Sequence, residues 1–334
     1  MPKPVADRVA IQYGRMTELF HDIAGNPRPE NAKAGFITAR DGRRLRYATF
    51  AATERPLRGT VIILAGRNEC IEKYFETIRD LAARGLGSAI LDWRGQGASD
   101  RLLRDPQRGY VKSFDTYVTD LDQFFAEIIL PDCRGPYYVF GHSTGSLIGL
   151  LATPILANRV RRMVFIAPFL SVTNMPFSLQ GVKRLADLLY YLGLGRMYAY
   201  GGKRPRETAP FVTNKLTTDL DRYTRNVRIY ESYPQLALGG PTVAWIRAAV
   251  RASLKVQDPG FMARIHIPTL FIAAGADEVV STKAVETYAR RLKSGSLLTI
   301  DGARHEILQE ADIYREQLLA AFDAFVPGSE QVSA

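Results

Sequence analysis

The chain has 334 residues, 46% hydrophobic and 23% charged, an ordinary globular composition with material for one large α/β domain or a domain carrying an inserted sub-domain. Its 44 basic residues against 34 acidic ones leave a net charge of +10, which favours anionic partners such as phospholipid surfaces or acidic substrates. RNA-binding signatures, zinc spacings and heptads are missing, so neither nucleic acid nor a metal is expected, and the two cysteines, Cys70 and Cys133, make no disulfide framework.

The amino terminus "MPKPVADRVAIQYGRMTELF" lacks the continuous apolar core of a signal peptide, and no run approaches the ~18 apolar residues of a membrane span. A cytoplasmic protein, at most peripherally bound to the inner face of the membrane, is therefore expected. Val9, Tyr13, Met16 and Phe20 recur at helical spacing and predict an amphipathic helix within an N-terminal extension over 1–33. Next, "GFITARDGRRLRYATF" (35–50) alternates on both sides of Asp41-Gly42, a dipeptide suited to hairpin turns with positive φ, so an antiparallel strand pair is expected.

From residue 60 onward the pattern changes. "TVIIL" (60–64), "GSAIL" (87–91), "YYVF" (137–140), "MVFIA" (163–167), "TLFIA" (269–273) and "SLLTI" (296–300) are continuous apolar runs, as strands buried on both faces require. Helical stripes separate most of them: Ile71, Tyr74, Phe75, Ile78 and Leu81, then Phe114 to Ile128, then Val285, Tyr288 and Leu292, then Tyr314 to Phe325. Strand and helix in alternation predict a parallel, doubly wound sheet. The alternation stops between about 170 and 256, a long, aromatic and basic stretch without a buried-strand run. The expected layout is a core over 34–169 and 257–334, interrupted by a helical cap over 170–256.

Gly141-His142-Ser143-Thr144-Gly145 follows one strand run and precedes the apolar "SLIGLLATPIL", the context of a strand–elbow–helix turn that exposes a nucleophilic serine at a helix N-terminus. A serine needs a general base, and the base an orienting acid, in the chain order Ser, acid, His. Of the four histidines, His21 is too early, His142 adjoins the nucleophile and should point elsewhere, and His266 precedes the strand that delivers the acid. His305 remains. The loop after 269–273 offers Asp277 and Glu278; Asp277 is preferred because Val279 and Val280 follow it, with Glu278 as the alternative. The backbone N–H groups of Arg67 and Thr144 are expected to form the oxyanion hole.

At these residues the chain resembles the α/β-hydrolase-fold serine hydrolases, and "LDWRGQGASDR" (91–101) is similar to that family's Asp-x-Arg-Gly-x-Gly-x-Ser turn. More narrowly it resembles the bacterial lysophospholipases, neighbours of the monoacylglycerol lipases. The likeness runs through "GRNECIEKYFE" (66–76), the elbow, "NKLTTDLDRYTRN" (214–226) with "GGPTVAW" (239–245), and "ARHEILQE" (303–310). Monoacylglycerol lipases usually open the oxyanion loop with His-Gly; Ala65-Gly66-Arg67 here favours the lysophospholipase side. The resemblance implies a mostly parallel eight-stranded sheet flanked by helices with an inserted helical cap, no cofactor, and hydrolysis of a lipid ester through an acyl-enzyme.

Three functional readings follow: a lysophospholipase, a monoacylglycerol lipase or general carboxylesterase, and a non-catalytic member of the fold. An acyltransferase outcome of the same acyl-enzyme is open as well. The Arg67 side chain is expected either to meet a lipid phosphate or to pair with Glu69. The Leu, Tyr and basic residues of "VKRLADLLYYLGLGRMYAYGGKRPRE" (182–207) suit an acyl chain beside a phosphate, an anionic bilayer, or packing of the cap onto the core.

Overall fold

The computed structural model describes residues 19–174, 176–203 and 209–326. The helix expected through Val9, Tyr13 and Met16 lies outside these residues. From Leu19 to Asn31 the described chain is irregular apart from a bridge between Ile23 and Asn26.

The two alternating stretches form β1 (Ala32–Thr38) and β2 (Arg44–Phe50), paired antiparallel around Gly42 at φ 80°. The apolar runs become β3 (Gly59–Leu64), β4 (Leu86–Leu91), β5 (Tyr137–His142), β6 (Val160–Ile166), β7 (Thr269–Ala274) and β8 (Gly295–Ile300). All join one eight-stranded sheet of order β1-β2-β4-β3-β5-β6-β7-β8, parallel except where β2 meets β1 and β4. Every residue of β3 and β7 is buried, because helices cover both faces.

Among the described residues, eight helices of eight residues or more accompany the sheet: α1 (Phe75–Ala82), α2 (Asp115–Phe124), α3 (Thr144–Leu151), α4 (Leu179–Tyr191), α5 (Leu220–Ser232), α6 (Val243–Val256), α7 (Thr282–Arg291) and α8 (Asp312–Phe325). Side chains of one strand alternate between two cores. Val61 and Ile63 join Phe75, Ile78, Leu318 and Phe322 of α1 and α8 on one face. Ile62 and Leu64 join Phe124, Leu147 and Tyr288 of α2, α3 and α7 on the other.

Helices α4, α5 and α6 lie between β6 and β7. Trp245, Ala248, Ala249 and Ala252 place α6 in the second core, and Asp187 of α4 pairs with Arg247 (2.6 Å) and Arg251 (2.8 Å) of α6. Helix α5 is tied to α1 instead: Glu76 holds Arg222 at 2.7 Å and Arg225 at 2.6 Å. Among the described residues no helix is long and apolar enough to cross a membrane.

Candidate active site

The strand order reverses between β3 and β5, and the carboxyl ends of strands at such a switch point are where α/β sheets bind ligands. Ser143 stands there, between β5 and α3, at φ 50° and ψ −114°. A non-glycine residue in that region is strained; the donation of its N–H to the Ile166 carbonyl (2.9 Å) and of the Phe169 N–H to its own carbonyl (3.1 Å) holds it. The flanking glycines are required by space. A Cβ on Gly145 would lie 1.9 Å from the Leu64 carbonyl oxygen, and one on Gly141 would lie 2.9 Å from Ser146 Cα.

Asp277 and His305 arrive on the loops after β7 and β8. His305 Nε2 lies 3.0 Å from Ser143 Oγ, and His305 Nδ1 lies 2.8 Å from Asp277 Oδ2. The second carboxylate oxygen of Asp277 accepts from the N–H groups of Val279 (2.7 Å) and Val280 (2.9 Å), so the carboxylate cannot rotate away without losing both. All three side chains are buried. Glu278, the alternative acid, is half exposed and pairs with Lys215 at 2.8 Å.

Thr144 heads α3, so its N–H is among the first four of a helix that have no intrahelical acceptor. Arg67 follows β3 across the way, and both residues line the cavity above Ser143. The Arg67 guanidinium donates to the Gly239 carbonyl and stacks 5.4 Å from the Trp245 ring. Glu69, which the sequence offered as its partner, is engaged elsewhere. Its carboxylate accepts from the Gly66 N–H, from the Tyr74 hydroxyl (2.5 Å) and from Lys73 Nζ (3.1 Å).

Lys73 also donates to Glu306 (2.5 Å), the residue after His305. His142 completes this buried cluster, with Nδ1 3.0 Å from Glu69 Oε1 and Nε2 3.2 Å from the His305 carbonyl oxygen. Both neighbours are acceptors, and only the imidazolium carries a proton on each nitrogen. Burial alone would push its pKa down; the Glu69 carboxylate outweighs that and holds it above the ordinary histidine value. Glu69 is opposed by its own burial, yet Lys73 and His142 keep it well below the usual carboxylate range. Glu69 and Glu306 thus face the Lys73 ammonium and the His142 ring. The remaining histidines play other parts: His21 lies 3.2 Å from buried Glu72, and His266 is exposed.

The cavity measures about 770 Å³. Val172, Leu179, Val182, Trp245, Ile246 and Val250 make an apolar wall, while Thr213, Asn214, Lys215 and Glu278 make a polar one. Its lining therefore comes from both the sheet's loops and the segment between β6 and β7.

Residues 55–312 match the family model described as serine aminopeptidase, S33. The chain belongs to that family. It is 34% identical to lysophospholipase L2 of Escherichia coli (strain K12) over 275 residues, 79% of each chain. It is 27% identical to the probable lysophospholipase L2 of Haemophilus influenzae over 294 residues, 87% of this chain and 91% of that one. A soluble variant of monoglyceride lipase from Saccharomyces cerevisiae, solved with a substrate analogue, shares the fold with a TM-score of 0.67 at 18% identity, covering 88% and 95% of the two chains. The protein is an α/β-hydrolase-fold enzyme of the serine hydrolases.

Within this α/β-hydrolase, sequence reasoning overlooked the Lys73–Glu69–His142–Glu306 cluster. The i, i+4 spacing of Glu69 and Lys73 was a usable signal. Nothing local marked Glu306 as the second partner, since it lies 233 positions from Lys73.

Proposed function

We propose that the protein hydrolyses the carboxylic ester of lysophospholipids, with Ser143 as nucleophile, His305 as general base and Asp277 as the acid that orients it. The unbroken contacts of 3.0 Å and 2.8 Å along Ser143, His305 and Asp277 carry this reading. As Ser143 Oγ attacks the ester carbonyl, its proton passes to His305 Nε2, and Asp277 stabilises the imidazolium that forms. The oxyanion is received by the backbone N–H groups of Thr144 and Arg67. His305 then protonates the leaving alkoxide, and water, deprotonated in turn by His305, releases the fatty acid. The lipid class is supported by the identity to lysophospholipase L2 and by the apolar wall beside the nucleophile. The segment between β6 and β7 serves in this reading as the cap over the acyl chain.

Ser143→Ala is expected to lower turnover of a lysophospholipid on the order of 10⁶-fold and to abolish labelling by a fluorophosphonate. A variant that keeps a tenth of the wild-type rate rules Ser143 out. An aminoacyl anilide beside the lipid esters separates this reading from the peptidase activity in the family's description.

The reading extends to where the substrate comes from. Leu185 and Leu188 of α4, with Tyr191 and Leu192 at its carboxyl end, are all exposed rather than packed onto the core. With Arg184 and Arg196 nearby and a net charge of +10, this face suits an anionic bilayer on the cytoplasmic side. Flotation with vesicles containing phosphatidylglycerol, but not with purely zwitterionic vesicles, is the expected result. Equal recovery with both removes the electrostatic part.

A further inference from the structure

The polar end of a lysophospholipid must meet charge somewhere in the cavity, and the lining narrows where. Glu69 and Glu306 are buried against Lys73 at 3.1 and 2.5 Å. The Arg67 guanidinium is directed to the Gly239 carbonyl and the Trp245 ring. Lys215 and Glu278 differ from all of these. They face each other at 2.8 Å with side chains 57% and 51% exposed, on the polar wall of the same cavity. Lys215 comes from the segment between β6 and β7, whereas Glu278 directly follows Asp277, so the pair stands beside the Asp277–His305 contact.

We propose that Lys215 and Glu278 form a headgroup subsite for a zwitterionic phospholipid, the Lys215 ammonium taking the phosphate and the Glu278 carboxylate the headgroup amine. The inference rests on the lysophospholipid reading above and adds the headgroup class to it. An exposed ion pair is cheap to open, because each charge is already partly hydrated. A phosphoethanolamine entering between the two exchanges one ion pair for two of the same polarity. An anionic headgroup without an amine satisfies Lys215 and leaves Glu278 facing like charge. A monoacylglycerol brings no charge and leaves the pair closed.

The test compares kcat/KM on lysophosphatidylethanolamine, lysophosphatidylglycerol and monoacylglycerol of matched acyl chain. The proteins are the wild type, Lys215→Ala, Glu278→Gln and the exchange Lys215→Glu/Glu278→Lys. Lys215→Ala should lower both lysophospholipids relative to monoacylglycerol, on the order of tenfold for one lost charge-assisted contact. Glu278→Gln should lower lysophosphatidylethanolamine relative to lysophosphatidylglycerol. The exchange keeps an ion pair but reverses its polarity, and should leave the ratio of lysophosphatidylethanolamine to monoacylglycerol depressed. If the exchange restores that ratio, or the single variants leave all ratios unchanged, the pair is only a latch between segment and core and the subsite is overturned. A wild type that consumes monoacylglycerol and neither lysophospholipid overturns the lysophospholipase reading itself, and the subsite with it.

Discussion

His142 adjoins Ser143 in sequence but turns its ring to Glu69 and the His305 carbonyl, two acceptors that together ask for two protons. Its folded pKa is raised by Glu69 against the opposing effect of burial, so its contribution to stability is fully present below about 6.5, the unfolded histidine value, and is lost as pH rises through the folded pKa. His142→Gln, which donates from one amide at most, should therefore flatten the fall in melting temperature between about pH 6 and about pH 9. It should also lower kcat, because the His305 carbonyl loses its donor. Identical pH slopes for the two proteins would show that His142 is neutral throughout. At this scale the meeting of Ser143, His305 and Asp277 was legible, because a glycine-bounded serine, one histidine in order and a carboxylate loop each leave a local mark. The contacts beneath it were not. Lys73 and Glu306 carry no local mark of their pairing, since folding must close the long loop between them, and for Arg67 the sequence offered a lipid phosphate or Glu69, whereas Gly239 and Trp245, which it meets, come from far along the chain.

Helix α1 packs its apolar stripe on the sheet and offers Glu76 on its other side to Arg222 and Arg225 of α5. Burial opposes ionisation of Glu76, but the two guanidiniums pull its pKa down to about 2. A depressed carboxylate stabilises above its unfolded pKa of about 4.3 and loses that contribution as pH falls through the folded value. Between about pH 4.3 and pH 2 the hold of α1 on α5 should weaken, and Glu76→Gln should show the weakened state at neutral pH. The expected loss is on the order of 2 kcal/mol, allowing for partial exposure, read by denaturant unfolding at pH 7. A Glu76→Gln protein as stable as wild type at pH 7 would mean the arginines are equally well solvated alone. The helices of the sheet layers were legible from their stripes. That α5 grips α1 through charge was not, because its sequence shows only an ordinary basic face.

On the scale of the whole molecule, the positions of β3 to β7 followed from continuous apolar runs, since strands covered on both faces admit few polar residues; β8 was also found by its apolar run, but it is an edge strand in which only Ile300 is buried. The place of α6 was less legible: its apolar face reads the same whether it covers a cavity or completes a core, and Trp245 does both, lining the cavity and joining Ala252 in the second core. The segment between β6 and β7 also reaches the loop that carries His305. The Glu306 N–H donates to the Leu216 carbonyl at 2.8 Å, and Glu310 accepts from the hydroxyls of Thr217 (3.0 Å) and Thr218 (2.5 Å). Thr217→Val with Thr218→Val, which leaves buried Glu310 short of donors, should reduce kcat on a short water-soluble ester about tenfold with KM little changed. A change in KM alone would mean the segment acts only as a wall.

The contact between Leu216 and Glu306 makes readiness and openness compete. Raising the segment between β6 and β7 would break that hydrogen bond and slacken the peptide that carries the His305 side chain. A gaping molecule would then be an idling one until the segment settled back.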